Sequence, residues 1–241
     1  MRDMLPKWQS GVVTDIVQAT PNTRRFWITL PEQPTFAFLP GQFVTLDLPI
    51  SDQRNKRWRS YSIASAPHGG NVIELIIVQV IGGLASPYIF NNIKIGDSVT
   101  LRGPHGIFVL PTDLDKEHFF ICTGTGIAPF RSMLRHIKAH SIPFHKIHLL
   151  FGTRRREDLL YEAEMRALEA ELPGFHYHPT LSRQHWEGRM GYVHDIYREL
   201  CQDHPEAKFM LCGWTAMVDD AQEKILEMGY AKKDIQVERY G

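Results

Sequence analysis

His118-Phe-Phe-Ile-Cys122 runs into Thr123-Gly-Thr-Gly-Ile-Ala-Pro129, after which Phe130, Met133, Leu134 and Ile137 recur at helical spacing. The order reads as strand, glycine turn and helix. Pro129 stands near the helix start, where its missing N–H costs little. Gly124 and Gly126 let a phosphate approach the backbone, and the helix N-terminus offers unpaired N–H donors with a partial positive charge. A Gly-x-Gly turn is equally the shape of any tight connection in an α/β domain, so the rest of the chain must decide between the two.

Downstream the rhythm persists. Ile147 to Phe151 precedes a helical pattern over Asp158 to Leu172; Phe175 to Pro179, Lys208 to Cys212, the amphipathic Ala216 to Met228, and Ile235 to Tyr240 continue it. This half reads as a mostly parallel sheet covered by helices, a Rossmann-like α/β domain. Upstream the pattern is different. Gly11 to Val17, Arg25 to Leu30, Gln42 to Leu48, Val72 to Val78 and Ser98 to Arg102 are short apolar or alternating segments, with turns marked by Pro40-Gly41 and Gly69-Gly70. Closely spaced strands of this kind argue for an antiparallel barrel or sandwich. The change falls near 111–117, which divides the chain into expected domains at 1–112 and 113–241.

The 241 residues suffice to bury a core without disulfides, and 27 basic against 27 acidic residues leave no global field for nucleic acid or an acidic membrane. No apolar run approaches the roughly 18 residues of a spanning helix. Met1 to Ser10 lacks an apolar stretch with a cleavage site, which makes the cytoplasm the expected compartment. Cys122, Cys201 and Cys212 are too few and too scattered for a disulfide framework or an all-cysteine iron–sulfur site, and no metal site is expected. His176 and His178 share a strand face, but no third ligand is placed with them.

The segment that decides the function is Arg59-Ser-Tyr-Ser-Ile-Ala-Ser65. A guanidinium, a phenol and three hydroxyls at this spacing can clamp a phosphorylated aromatic ligand, or be a serine-rich strand end. It resembles the flavin-binding R-x-Y-S/T-x-x-S motif of the ferredoxin-NADP reductase superfamily. Six further segments follow in that family's order: Gly82 to Ser86, Gly103 to Gly106, Thr123 to Arg131, Ser182-Arg183, Cys212-Gly213 and Val237 to Tyr240.

The resemblance implies an antiparallel flavin-binding β-barrel followed by a dinucleotide-binding domain, with FAD held between them. Arg59 is then expected on the flavin pyrophosphate, Tyr61 on the ring and ribityl chain, Ser62 at flavin N5, and Ser65 among the flavin-binding hydroxyls. Gly83, Ala85 and Ser86 resemble the second flavin-phosphate loop, ahead of a helix-like Pro87 to Phe90. Thr123, Gly124, Thr125, Gly126 and Pro129 resemble the dinucleotide pyrophosphate turn. Cys212, followed by Gly213, is expected beside nicotinamide C4; Tyr240 over the flavin face; and Glu238 near it, orienting groups or relaying protons. Here one more residue, Gly241, follows the aromatic.

Ser182, Arg183, Arg189 and Tyr192 match the family positions that hold a 2′-phosphate, and Arg154, Arg155 and Arg156 add nearby cations, so NADP is expected ahead of NAD. Trp186 to Val193 resembles a segment of NADH-using oxygenase reductases, which keeps NAD open. The expected activity is hydride transfer between NADPH and FAD, with single electrons passed to ferredoxin, flavodoxin or an oxygenase component. The alternatives are a flavin reductase that releases reduced flavin, an NADH-dependent oxygenase reductase, and a non-catalytic flavin-holding subunit. No aromatic lies between Ile73 and Gly82 to serve as an adenine platform, and no dense basic patch for an acidic ferredoxin stands out in one dimension.

Overall fold

The computed structural model describes residues 6–240; the first five residues of the Met1 to Ser10 stretch read above, and Gly241, lie outside them. The first half is built from β1 (Gln9–Thr20), β2 (Thr23–Thr29), β3 (Phe43–Asp47), a single helical turn α1 (Arg54–Arg57), β4 (Trp58–Ser62), β5 (Val72–Val78), α2 (Ala85–Asn92) and β6 (Ser98–His105). The strands pair antiparallel in the order β4-β3-β6-β1-β2-β5, and a bridge between Ile63 and Leu75 brings the two ends of the sheet together as a barrel.

The second half alternates: β7 (Glu117–Thr123), α3 (Ile127–His140), β8 (Lys146–Thr153), α4 (Glu162–Glu171), β9 (Phe175–Leu181), β10 (Arg189–Met190), α5 (Val193–Leu200), β11 (Ala207–Trp214), α6 (Thr215–Glu227) and β12 (Ile235–Tyr240). Its sheet is wholly parallel, in the order β10-β9-β8-β7-β11-β12. Successive residues of β7 feed opposite cores. Phe120 and Cys122 pack under α3 and α4, whereas Phe119 and Ile121 pack under α5 and α6, which is why the strand is apolar without alternation. Helix α3 buries Phe130, Met133, Leu134 and Ile137, the residues whose spacing announces it.

Strand β5 explains another unbroken run. Ile73, Leu75 and Ile77 fill the barrel core, while Ile76 joins the core of the second half together with Ala64. Glu74 shares the outward face with Ile76 and is 3% exposed. The strand is therefore a wall common to both domains. Helix α4 starts later than the expected Asp158. Arg156–Asp158 form a short 3-10 turn, and Tyr161 is left-handed at φ 57°, so α-helical geometry begins only at Glu162. Among the described residues no helix is long and apolar enough to cross a membrane.

Candidate active site

A cleft of about 620 Å³ opens where the barrel meets the parallel sheet, lined by Arg59, Tyr61, Ser62, Gly83, Ser86, Thr125, Trp214, Glu238 and Tyr240 among others. It lies at the carboxyl ends of the parallel strands, where open α/β sheets place ligands. Strand β4 brings Tyr61 and Ser62 to it from one side. Strands β11 and β12 bring residues from the other, in a register that sets Cys212 opposite Glu238 and Trp214 opposite Tyr240.

Three side chains join across the seam. Tyr240 OH donates to Ser62 Oγ at 2.6 Å, and Ser62 Oγ donates to Glu238 Oε1 at 2.7 Å. Cys212 Sγ lies 3.8 Å from the same carboxylate oxygen and is fully buried. Burial raises the Glu238 carboxyl above the ordinary glutamate value, against the pull of the Ser62 and Cys212 hydrogen bonds. Burial likewise pushes the Cys212 thiol and the Tyr240 phenol well up, so both carry their protons near neutrality.

The glycine turn is shaped by what lies behind and in front of it. A Cβ on Gly126 would stand 2.3 Å from the Cys212 carbonyl oxygen, so glycine is required for α3 to start against β11. Gly124, at φ 53°, faces open space instead. The start of α3 has no side-chain cap, and Thr123 Oγ1 is buried without a partner. An uncapped helix start, open space at Gly124 and an orphaned hydroxyl make a site that fits a dinucleotide pyrophosphate. On the barrel side, Ser86 Oγ accepts the Val80 N–H at 2.8 Å and fixes the Val80–Ser86 loop, with Gly83, Ala85 and Ser86 along the cleft and the uncapped start of α2 behind them. Arg59 is half-buried on the cleft wall, its Nη1 donating to the carbonyls of Asn55 and Trp58. The cleft thus offers what a flavin with a phosphate tail needs.

Other residues named from the sequence stand elsewhere. Ser65, expected among the flavin-binding hydroxyls, faces the domain seam: its Oγ accepts the Glu74 N–H at 3.1 Å. Pro129 is buried in the first turn of α3 and presents no cleft surface. Ser182 bonds Thr153 through both its N–H and its Oγ, and Arg183 N–H bonds the Arg154 carbonyl, which zips these two loops together. Arg183 and Arg154 are exposed and have no carboxylate partner among the described residues. Arg189, expected at a 2′-phosphate, is held by both oxygens of Glu199 at 2.6 and 3.0 Å, so its charge is already compensated. Tyr192 is exposed at the start of α5. Arg155 and Arg156 are paired with acidic neighbours, Arg156 also lying 5.1 Å over the Trp186 ring.

Sequence reasoning missed Trp214, half-exposed at the cleft lip one residue after Gly213, and the run Arg54, Lys56 and Arg57 that leads into Arg59. Arg57 is paired with Asp47, and the other three have no carboxylate partner among the described residues. The signal was there as four cations in six residues, masked by a net charge of zero.

Two family models match in succession, an oxidoreductase FAD-binding domain over residues 10–110 and an oxidoreductase NAD-binding domain over residues 120–223. Ferredoxin–NADP reductase B of Sorangium cellulosum is 37% identical over 214 residues, covering 85% of this chain and 86% of that one. The toluate 1,2-dioxygenase electron transfer component of Pseudomonas putida is 31% identical over 242 residues, covering 99% of this chain and 70% of that one. Among solved structures, a ferredoxin NADP+ reductase from Neisseria gonorrhoeae with bound FAD and NADP superposes with a TM-score of 0.81 at 26% identity, covering 97% of this chain and 98% of that one. With an antiparallel FAD-binding domain, a parallel NAD-binding domain and a residue cluster drawn from both at their junction, this chain belongs to the ferredoxin-NADP reductase superfamily of flavin-dependent oxidoreductases.

Proposed function

We propose that the protein moves a hydride between NADPH and bound FAD and single electrons between FAD and a protein acceptor. The observation that carries this reading is the hydrogen-bonded run Tyr240, Ser62, Glu238, which joins a flavin-side hydroxyl to the nicotinamide-side strands at one point. Bound flavin supplies the exchange between two-electron and one-electron carriers. The chain's own groups supply the rest. Ser62 presents its hydroxyl toward the reacting edge, its proton directed to Glu238. Glu238, with its raised affinity for a proton, holds or returns one at the Ser62 oxygen. Tyr240 packs beside Ser62 and Cys212, so a nicotinamide ring reaches Cys212 only as Tyr240 yields.

The preference for NADPH rests on Arg183 and Arg154, two uncompensated guanidiniums on the two loops joined at Ser182 and Thr153, suited to a dianionic 2′-phosphate. The acceptor is an acidic one-electron protein, ferredoxin, flavodoxin or an oxygenase component. Arg54 and Lys56, exposed on the helical turn that leads into Arg59 of the cleft wall, support this, as a local positive surface that would steer such a partner to the flavin.

An absorption spectrum of the purified, desalted protein, taken before and after anaerobic NADPH or NADH, tests the reading. Expected is about one FAD per chain, bleached faster by NADPH. Faster bleaching by NADH would move the reading to an NADH-dependent oxygenase reductase. A colourless protein that oxidises NADPH only with added flavin would replace it with a flavin reductase.

A further inference from the structure

We propose that the buried cluster of Glu74, Arg131, Arg25, Tyr161 and Glu164 is a positioning device that fixes how the nicotinamide meets the flavin, by tying the Arg59–Ser65 segment to the helix that opens on the glycine turn. The inference rests on the function proposed above and assigns it residues outside the cleft.

Arg131, on α3, is 1% exposed. Its Nη1 donates to Glu74 Oε2 and to the Ala64 carbonyl, both at 2.8 Å, and its Nε donates to Glu164 Oε2 at 2.8 Å. Glu74 Oε1 accepts from Arg25 Nε at 2.7 Å and from Tyr161 OH at 2.8 Å. Both guanidiniums lie over the Tyr161 ring, that of Arg131 at 4.2 Å and that of Arg25 at 5.0 Å from its centre. Ser132, the next residue of α3, donates to the Ser65 carbonyl at 2.7 Å, and Ser65 Oγ accepts the Glu74 N–H.

Two consecutive residues of the helix therefore grip two consecutive carbonyls of the flavin segment. Ala64 is two residues from Ser62, and Arg131 is five from Gly126, so the grip stands close to both reacting partners in the chain. Two arginines balance two glutamates. Apolar side chains of similar volume would often hold such a seam as firmly, and they would not specify one register. A network that demands five simultaneous bonds admits one placement of α3 against the barrel. Displacement of reacting atoms by 1 Å can cost about 10²-fold in rate, which is the scale on which such placement matters.

The test uses the full-length, FAD-loaded protein carrying Glu74→Leu with Arg131→Met, which replaces the pair by apolar groups, and separately Arg131→Lys, which keeps the charge but cannot reach all three acceptors. Both should bind FAD and 2′,5′-ADP as the parent does. Both should lose the long-wavelength absorbance of nicotinamide stacked on flavin, and NADPH should reduce the flavin more slowly, by about 10²-fold in the double variant. Parent-like absorbance and rate in either folded variant overturn the proposal. If the double variant does not fold, Arg131→Lys decides alone. A parent protein whose bound FAD is reduced by neither nucleotide refutes the function instead. Even then the grip is tested in the apoprotein: the Ala64 and Glu74 amides should exchange at least about tenfold faster in Arg131→Lys, and unchanged protection refutes it.

Discussion

Glu74 and Glu238 are both taken out of water at the same domain seam, and they take opposite protonation behaviour. Burial raises both carboxyls. Around Glu74 the Arg25 hydrogen bond and the charges of Arg131 and Arg25 outweigh it, leaving the group below the ordinary glutamate value. Glu238 meets only a hydroxyl and a thiol, and burial wins. One carboxylate is thereby committed to holding two domains together, and the other stays able to exchange a proton. Neighbouring charge rather than depth separates a structural acid from a chemical one.

Removing the compensating charge should produce the largest change. Arg131→Met alone leaves Glu74 with Arg25 and Tyr161 and Glu164 with Arg135, but takes the partner from the second oxygen of each, and should cost about 3–5 kcal/mol in denaturant unfolding. A loss well under that range would mean that solvent or Arg25 can replace Arg131. On the other side of the comparison, Glu238→Gln keeps the shape and the Ser62 acceptor but gives up the exchangeable proton. Flavin reduction by NADPH should fall about 10²-fold in stopped-flow measurements with FAD affinity retained. Equal rates in the parent and the variant would reduce Glu238 to a second structural acid.

Arg183 asks the same question where charge is exposed. Arg183→Ala should raise the KM for NADPH about tenfold and leave that for NADH in place, the scale of one charge-assisted hydrogen bond of about 1.5–3 kcal/mol shared with solvent. The smallest effect is the pH dependence of melting. Glu238, raised in the folded state, stabilises below the ordinary glutamate value of 4.5 and loses that contribution as pH climbs through its higher folded value. Glu74, lowered in the folded state, stabilises above 4.5 and loses that contribution as pH falls through its lower folded value. Glu238→Gln and Glu74→Gln should therefore remove slopes of opposite sign from melting temperature against pH. Slopes of one sign would break the distinction.

The strands, the helix after the glycine turn, and the meeting of Ser62 with Glu238 and Tyr240 were legible because each rests on a local pattern or on an ordered motif. Glu74 was not. It sits in Val72-Ile-Glu-Leu-Ile-Ile-Val78, where a single acid among apolar residues gives no hint that two arginines, 49 and 57 positions away, close on it. Arg131 closes the segment Thr123 to Arg131, and an arginine in a helix ordinarily reads as solvated. Ser65 matched its motif by spacing, yet the bridge from Ile63 to Leu75 carries the chain off the cleft before Ser65 is reached. Arg189 matched by position, and only the fold brings Glu199 against it. The late start of α4 has the same origin: Tyr161 turns left-handed where its ring is gripped by two arginines distant in sequence.

Strand β5 faces a core on each side, and this bears on how the molecule can be taken apart. Cutting the chain near residue 112 would leave a barrel with Ile76 and Ala64 turned to water and Glu74 stripped of Arg131 and Tyr161. The remaining piece would carry Arg131 with Glu164 alone left of its three acceptors. Neither fragment would inherit a finished surface, so modular swapping of one half for a homologous half needs the facing residues of β5, α3 and Tyr161 to travel as a set.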